Sequence, residues 1–353
     1  MGIFSRKADA RSGNPGKKKF LGRRWVRILA VIVLLLVGTG GWAMYKTGST
    51  LSKISTKDGF LSSLWRSIPI IGGSNELQGK KEGQINVLLL GMRGDDMPGG
   101  GLLADSIIVA AVRPQENKVA LISIPRDLYV KVPDSPNQSK INAVYPVFAE
   151  KGEGKGLEGM KEVVSEVTGL PIHYAVSIDF RGFKELVSAV SGVDIYLDKP
   201  FSEPKQFEGE NALNFSLPAG RNHLDGDKAL FFVRARYASS DFERAKRQQQ
   251  VLIALKDKLL SLGTLADFGK VNNILNILGD DVRADMDVSE MKKFFDVANE
   301  IKDPQIKQKV FDTSDEGLLY SSKADTPEGK TYILLPVGGN YDKIHEACQN
   351  IFQ

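Results

Sequence analysis

Residues 118–130, KVALISIPRDLYV, contain the most informative strand pattern of the sequence. An apolar run from Val119 to Ile124 leads into Pro125, Arg126 and Asp127 before apolar residues resume. A short continuous apolar run of this kind predicts a strand that is buried on both faces of a sheet. The strand therefore places Arg126 near its carboxyl end. The role of Arg126 is the first question about the function of the protein.

Two similar strands precede this one, INVLLL at 85–90 and DSIIVAAV at 105–112. No helix fits between the three segments, which predicts antiparallel neighbours. The first strand then ends at Gly91, the second opens at Asp105 and the third ends before Arg126, all on one edge of the sheet.

Helical and strand patterns alternate along the rest of the chain. We expect helices at 156–169, 183–192, 241–262, 288–301 and 341–351, and strands at 174–178, 193–197 and 333–336. Helices interleaved with apolar strands predict an α/β/α sandwich with a central mixed sheet.

In the amino-terminal region a basic segment is followed by an uncharged, apolar one. Residues 1–24 hold eight Lys or Arg and one Asp, whereas residues 28–45 carry no charge. A basic tail before an apolar stretch of this length predicts a single transmembrane helix with its amino terminus in the cytoplasm. A cleaved signal peptide is the alternative, but the stretch is long for one and lacks an A-x-A site. The predicted anchor also argues against a nucleic-acid partner for the tail.

The predicted organisation follows from these boundaries. We expect a cytoplasmic tail at 1–24, a transmembrane anchor at 25–45, a stalk at 46–83 and an extracytoplasmic domain at 84–353, with a motif-bearing core at 85–262 and a continuation at 263–353. The single cysteine, Cys348, excludes a disulfide framework, and no zinc-binding spacing of Cys and His occurs. A metal, if present, would be a hard cation on carboxylates.

The predicted long helix brings polar groups to the core. It begins in SSDFERAKRQQQ at 239–250, where Ser240 and Glu243 have capping-box spacing. At 100° per residue, Asp241, Arg244 and Gln248 fall on the stripe that carries the leucines further along the helix. Burying these groups unpaired would be costly, so they should line a polar cavity or form a paired network.

Two further arginines lie just upstream, in FFVRARY at 231–237. If this segment is extended, Arg234 and Arg236 share one face. Together with Arg126 and Arg244 they provide planar forks that match phosphate oxygens, and several forks can hold a pyrophosphate. The alternative is that the arginines pair with acids, namely Asp127, Asp241 or Glu243, and only tie elements together.

Carboxylates near the glycine-rich loop at 91–104 raise the possibility of Mg²⁺. Asp105 opens the second predicted strand, and Asp95 and Asp96 lie within the loop. Carboxylates beside a phosphate site commonly hold this ion. The alternative role for each of them is to cap the loop.

The motifs together resemble the LytR–CpsA–Psr family of bacterial cell-envelope proteins. The resemblance runs from about residue 85 to residue 262 and rests on LLLG, ADSIIVAAV, VALISIPRDLYV, KINAVY, HLDGDKALFFVRARY and DFERAKRQQ, in that order. It implies a glycopolymer phosphotransferase that uses Mg²⁺. Such an enzyme moves a glycan from a membrane-lipid carrier, polyprenyl pyrophosphate, to peptidoglycan through a phosphodiester.

The resemblance also implies roles for individual residues. Pyrophosphate binding falls to Arg126, Arg234, Arg236, Arg244 and Gln248. As the catalytic group we expect Arg126, Arg244 and Asp241. Asp105 matches a metal ligand. Where the family usually has a second metal-binding Asp this chain has Arg93, so Asp95 is only a weak substitute.

Three functions remain open from the sequence. The first is the transferase, in which Asp127 or Asp241 would serve as base or merely orient an arginine. The second is a lipid pyrophosphatase, in which water replaces the acceptor hydroxyl. The third is a non-catalytic lipid-binding regulator of the envelope, which the substitution at Arg93 keeps open.

Overall fold

The computed structural model describes residues 76–95, 101–204, 214–261, 274, 277–301, 304–326 and 329–353. Among these residues, no helix has the length and apolarity needed to cross a membrane. The predicted tail and anchor, and the stalk up to residue 75, lie outside the described residues.

A six-stranded mixed sheet forms the centre of the domain, in the order β11-β6-β1-β2-β3-β12. Its strands are β1 (Ile85–Gly94), β2 (Gly101–Arg113), β3 (Lys118–Ser123), β6 (Tyr174–Ile178), β11 (Val282–Ala284) and β12 (Gln305–Val310). The predicted antiparallel pairing of the first three strands is confirmed. β6 runs parallel to β1, and β12 runs parallel to β3, so the sheet is mixed as expected.

The other described strands form short two-stranded sheets that are separate from the central sheet. They pair β4 (Tyr129–Lys131) with β5 (Gln138–Lys140), β7 (Val193–Leu197) with β10 (Gly220–Leu224), β8 (Phe201–Glu203) with β9 (Phe215–Leu217), and β13 (Leu319–Thr326) with β14 (Gly329–Pro336).

Helices cover both faces of the central sheet. They are α1 (Val144–Ala149), α2 (Lys155–Thr168), α3 (Phe180–Ala189), α4 (Gly226–Arg234), α5 (Asp241–Ser261), α6 (Val288–Glu300) and α7 (Asp342–Gln349). Alternate residues of β1 point to opposite faces. Leu88 packs with Met160 of α2 and Ile344 of α7, while Val87 packs with Met291 of α6. The α/β/α sandwich follows from these two cores.

The segment FFVRARY is not extended, so that part of the sequence interpretation is wrong. Residues 226–234 form α4, because the Asp225 side chain caps its first turn by accepting from Lys228 N over 2.9 Å. Ala229 and Phe232, three residues apart, bury one face of this helix. The helix ends at Arg234.

Asp105 does not open its strand, as the sequence had suggested, but interrupts it. β2 starts at Gly101, and its pairing with β1 jumps from Gly91 opposite Ser106 to Met92 opposite Ala104. Asp105 is therefore the extra residue of a β-bulge. A bulge re-aims a side chain out of the ladder, which is why such features recur beside functional sites.

Candidate active site

The sheet edge predicted to gather the arginines holds a cavity of about 300 Å³. Six of the predicted site residues line it: Asp105, Arg126, Arg234, Arg236, Arg244 and Gln248. They come from the bulge in β2, the segment after β3, the end of α4 and the first turns of α5, so the fold brings together residues that are as much as 143 positions apart in sequence. Their roles in pyrophosphate binding and catalysis stay predictions.

Local structure explains how the strand and the helices place these side chains at the cavity. Arg126 follows β3 after Pro125, which ends the strand because it has no N–H to donate. Arg234 closes α4, and its guanidinium lies 4.8 Å from the Phe180 ring centroid. Arg244 and Gln248 occupy the first two turns of α5, where Ser240 Oγ accepts from Glu243 N over 3.2 Å.

Arg126 is surrounded by three carboxylates. Its Nη1 donates to Asp105 Oδ1 over 2.6 Å, while Nη2 lies 3.7 Å from Asp241 Oδ2 and Nε lies 3.6 Å from Asp127 Oδ2. Burial alone would lower the pKa of Arg126, but these carboxylates outweigh it and raise the pKa. Nε is buried and has no hydrogen-bond acceptor within the described part of the chain. Such an orphaned donor suits an anionic ligand.

Arg244 is the most buried arginine of the cavity, with 8% of its surface exposed. Its Nη1 lies 2.9 Å from Asp241 Oδ1. Burial lowers the pKa of Arg244, while the Asp241 carboxylate opposes that effect. A buried, paired guanidinium is held in one orientation, which favours bidentate phosphate binding.

The alternative that the arginines pair with acids is therefore correct for Asp127 and Asp241. It is not correct for Glu243, which accepts a hydrogen bond from Lys246 instead. Pairing does not neutralise the cavity. Five arginines and two aspartates line it, a formal excess of three positive charges. Such an excess attracts an anion.

Two of the lining charges did not enter the predicted pyrophosphate or metal sites, namely Arg93 and Asp179. Asp179 follows β6, whose carboxyl end meets the same sheet edge because β6 is parallel to β1. It caps α3 by accepting from Gly182 N over 2.8 Å. Burial raises the pKa of Asp179, and the nearby Asp281 carboxylate adds to the rise. An Asp placed between a predicted strand and a predicted helix was the signal that could have found it.

Gly94 lies where the end of β1 passes close to Asp179. Its φ of +89° is one that residues with side chains rarely adopt, and a Cβ there would lie 3.1 Å from the Asp179 side chain. Gly94 thus lets β1 pass close to Asp179.

Arg247 and Gln249, two buried polar residues of α5, were not predicted as site residues. Both hold α5 to the elements around the cavity. Arg247 donates to the carbonyls of Phe232 and Ala235 and to Ser239, and so fixes the end of α4 to α5. Burial lowers the pKa of Arg247 to about 10.

Gln249 is the second of these residues. Its amide donates to Leu121 O and Ser123 Oγ of β3 and to Lys309 O of β12. These bonds fix the depth at which the helix sits over the sheet. The only sequence signal for either residue was the polar run that precedes the leucines.

The donor chemistry of the cavity fits a magnesium ion held by a single carboxylate. Asp105 presents a partly exposed carboxylate whose Oδ1 is engaged by Arg126. Ser106 Oγ and Gln248 Oε1 lie 3.0 Å apart beside it. Mg²⁺ usually keeps several waters and binds through one or two carboxylates together with substrate phosphate. Asp95 is exposed in the turn after β1 and is not among the residues that line the cavity.

No cluster of three or more acidic, His or Cys ligands occurs among the described residues. Asp96 lies outside the described residues.

The sandwich fold and the arginine-lined sheet edge define an α/β protein with a positively charged cavity at one edge of its central sheet. The chain belongs to the LytR–CpsA–Psr family, since the LytR_cpsA_psr family model matches residues 53–332. The family resemblance seen in the sequence is thereby confirmed.

Characterised relatives are similar over most of their length. The chain is 31% identical over 257 residues to the polyisoprenyl-teichoic acid–peptidoglycan teichoic acid transferase TagU of Bacillus cereus, covering 72% of this chain and 76% of the relative. It is 27% identical over 331 residues to TagV of Bacillus subtilis, which carries the same enzyme name, covering 93% of this chain and 78% of TagV. The crystal structure of B. subtilis TagV superposes with a TM-score of 0.55 at 26% identity, covering 75% of this chain and 96% of that one.

Proposed function

We propose that this chain is a glycopolymer phosphotransferase that moves a glycan from a polyprenyl-pyrophosphate carrier to peptidoglycan. The observation that carries the proposal is the convergence of Arg126, Arg234, Arg236 and Arg244 on one cavity with an excess of positive charge. The transferase names of the relatives support the same reaction.

The reaction is a displacement at phosphorus. A hydroxyl of the acceptor glycan attacks the phosphorus nearest the donor glycan, forming a new P–O bond, and the bond to polyprenyl phosphate breaks. The hydroxyl proton passes to a carboxylate, with Asp127 or Asp241 as the candidates. Arg126 and Arg244 stabilise the charge that develops on the phosphoryl oxygens, which is the main task in phosphoryl transfer. A magnesium ion bound at Asp105 would add charge neutralisation to that of the arginines.

A second, apolar cavity supports the lipid part of the proposal. It has a volume of about 230 Å³ and lies between the sheet and helices α5 and α6. Leu89 and Leu252 line both this cavity and the arginine site, so the two are adjacent. An apolar channel that begins at a phosphate site suits a prenyl chain attached to a pyrophosphate.

We further propose that residues 25–45 anchor the chain in the cell membrane with residues 1–24 in the cytoplasm and 46–353 outside. The charge step across the apolar stretch supports this topology. Protease added to intact spheroplasts should digest the globular domain. Protection of the domain in intact spheroplasts, with digestion after lysis, would reverse the topology.

The function is tested by product analysis with full-length protein in detergent and a polyprenyl-pyrophosphate-linked oligosaccharide. A transferase releases polyprenyl phosphate mainly when an acceptor glycan is present. A lipid pyrophosphatase releases it equally without the acceptor. A non-catalytic regulator binds the donor and releases nothing.

A further inference from the structure

A third cavity adjoins the arginine site. It has a volume of about 220 Å³ and shares Asp105, Ser106, Arg126, Arg244 and Gln248 with that site. These residues therefore line both cavities. We call this third space the far cavity. Its remaining polar lining comes from Ser123, Asp127, Ser240, Asp241 and Tyr332.

The chemistry of displacement assigns different roles to the apolar cavity and the far cavity. In phosphoryl transfer the attacking and leaving oxygens lie roughly in line on opposite sides of the phosphorus. The leaving polyprenyl phosphate belongs to the side with the apolar cavity, which Leu89 and Leu252 connect to the arginine site. The nucleophile must then approach from the side away from the apolar cavity, and the far cavity is the candidate because it adjoins the arginine site but shares no lining residue with the apolar cavity.

The two candidate proton acceptors among the carboxylates of the far cavity, Asp127 and Asp241, are not equivalent. Asp127 Oδ1 accepts a hydrogen bond from Lys140 Nζ over 2.6 Å. Asp241 is ion-paired with three arginines: Arg244 Nη1 and Arg236 Nη1 lie 2.9 Å and 3.8 Å from Oδ1, and Arg126 Nη2 lies 3.7 Å from Oδ2. Oδ1 nevertheless accepts no aligned hydrogen bond within the described residues, so it has capacity left for a hydroxyl proton.

An aromatic side chain stands at the rim of this cavity. Tyr332 is on β14 of the hairpin β13–β14, and 46% of its surface is exposed. The hairpin is fixed beside the site because Leu334 N donates to Asp127 O over 2.9 Å. The face of an aromatic ring carries negative charge density and suits the C–H face of a sugar ring.

We propose that the far cavity is the acceptor subsite. It binds a sugar unit of the peptidoglycan strand, with Tyr332 stacked on that sugar and Asp241 accepting the proton of its attacking hydroxyl. This inference rests on the proposed function and adds where the acceptor binds and which of the two candidate carboxylates takes the proton.

The test compares variants of two tyrosines on the same hairpin. Tyr320 is as exposed as Tyr332, but the register places it on the opposite face and it does not line the far cavity. In a transfer assay with a soluble peptidoglycan oligosaccharide, Tyr332→Ala should raise the acceptor KM about five- to tenfold, the size of one aromatic contact. Donor KM and acceptor-independent release of polyprenyl phosphate should not change. Tyr332→Phe and Tyr320→Ala should behave as wild type.

A second variant tests the cavity without altering the hairpin. Ala245 of α5 lines the far cavity, so Ala245→Leu should also raise the acceptor KM and leave the donor KM unchanged. An unchanged acceptor KM in both Tyr332→Ala and Ala245→Leu would overturn the acceptor subsite while the transferase stands. An equal rise in the donor KM would also overturn it, because the cavity would then belong to the donor. Wild-type protein that transfers nothing to any acceptor would overturn the proposed function, and this inference with it.

The proton acceptor is tested by comparing Asp241→Asn with Asp127→Asn. Asp241→Asn should lower kcat about 100-fold and leave the acceptor KM close to wild type, while Asp127→Asn should lower kcat much less. A kcat of Asp241→Asn that equals or exceeds the kcat of Asp127→Asn would remove Asp241 from the proton transfer.

Discussion

Arg126 Nη1 donates to Asp105 Oδ1 over 2.6 Å, and this contact joins the end of β3 to the bulge in β2. The pair sets the position of the arginine before any ligand arrives. The other two nitrogens of the guanidinium lie 3.6 Å and 3.7 Å from carboxylate oxygens, which is longer than a normal hydrogen bond. A phosphate oxygen can therefore compete for them at low cost.

The first prediction concerns the shape of that guanidinium. Arg126→Lys keeps the charge but loses the planar fork, so kcat/KM for transfer should fall about 100-fold, comparable to losing one transition-state donor. Arg221→Lys is the matched control, because Arg221 is exposed on β10 and pairs with Asp194 away from the cavity. Wild-type kcat/KM in Arg126→Lys would show that charge alone is needed.

The second prediction concerns magnesium. Asp105→Asn should lose most of the magnesium-dependent release of polyprenyl phosphate, because Asp105 is the carboxylate that the bulge turns into the cavity. Asp95→Asn is the control and should lose much less, since Asp95 is exposed and outside the cavity lining. Arg93→Asp should tighten magnesium binding by restoring a second carboxylate. Full activity of Asp105→Asn, or a wild-type rate that a chelator leaves unchanged, would remove the metal from the mechanism.

The third prediction uses the carboxylate of Asp179. An ionised Asp179 places a negative charge among the arginines that line the cavity and repels an anion, so Asp179→Asn should bind inorganic pyrophosphate several-fold more tightly near neutral pH. Asp225→Asn is the control, because Asp225 caps α4 as Asp179 caps α3 but does not line the cavity. Calorimetric titration of both variants measures the difference, and equal affinities would contradict the prediction.

Asp179→Asn should also change how the Tm of the protein depends on pH. Because the pKa of Asp179 is raised in the folded protein, ionisation costs stability as the pH rises from the unfolded pKa through the folded pKa. Asn caps a helix about as well as Asp. The Tm of Asp179→Asn should therefore match wild type at acidic pH, below both pKa values, and exceed it as the pH rises. A difference that shrinks with rising pH would have the wrong sign.

The fourth prediction tests the lipid channel. Ala298 of α6 lines the apolar cavity, and Ala298→Phe would fill part of it. The KM for a long-chain polyprenyl donor should rise about tenfold, while a donor with a very short prenyl chain should be unaffected. An equal effect on both donors would place the long chain elsewhere.

The parts of the fold that could be read from sequence are those fixed by short-range pattern. Continuous apolar runs with short connections predicted β1, β2 and β3, and the helical stripe predicted Arg244 and Gln248 at the cavity. The bulge at Asp105 could not be predicted, because strand register depends on which residues face each other across the pair. The placement of Asp179 depends on β6 lying beside β1, a contact between segments about 87 residues apart.

The segment 231–237, which we considered as extended, shows a second limit of prediction from sequence. Aromatic and β-branched residues favour strands in general, but the capping Asp225 and the burial of Ala229 and Phe232 on one face made the segment helical. Arg234 and Arg236 reach the cavity all the same, because the helix ends at that point.

The most direct test of the central claim follows the phosphorus atom. A donor is prepared with ³²P only at the phosphorus nearest the glycan and incubated with the protein and peptidoglycan. Transfer by attack at this phosphorus predicts that the label becomes covalently attached to peptidoglycan through a phosphodiester, and that unlabelled polyprenyl phosphate is released. Label that appears as free glycan phosphate, or that stays on the released lipid, would contradict transfer by attack at this phosphorus.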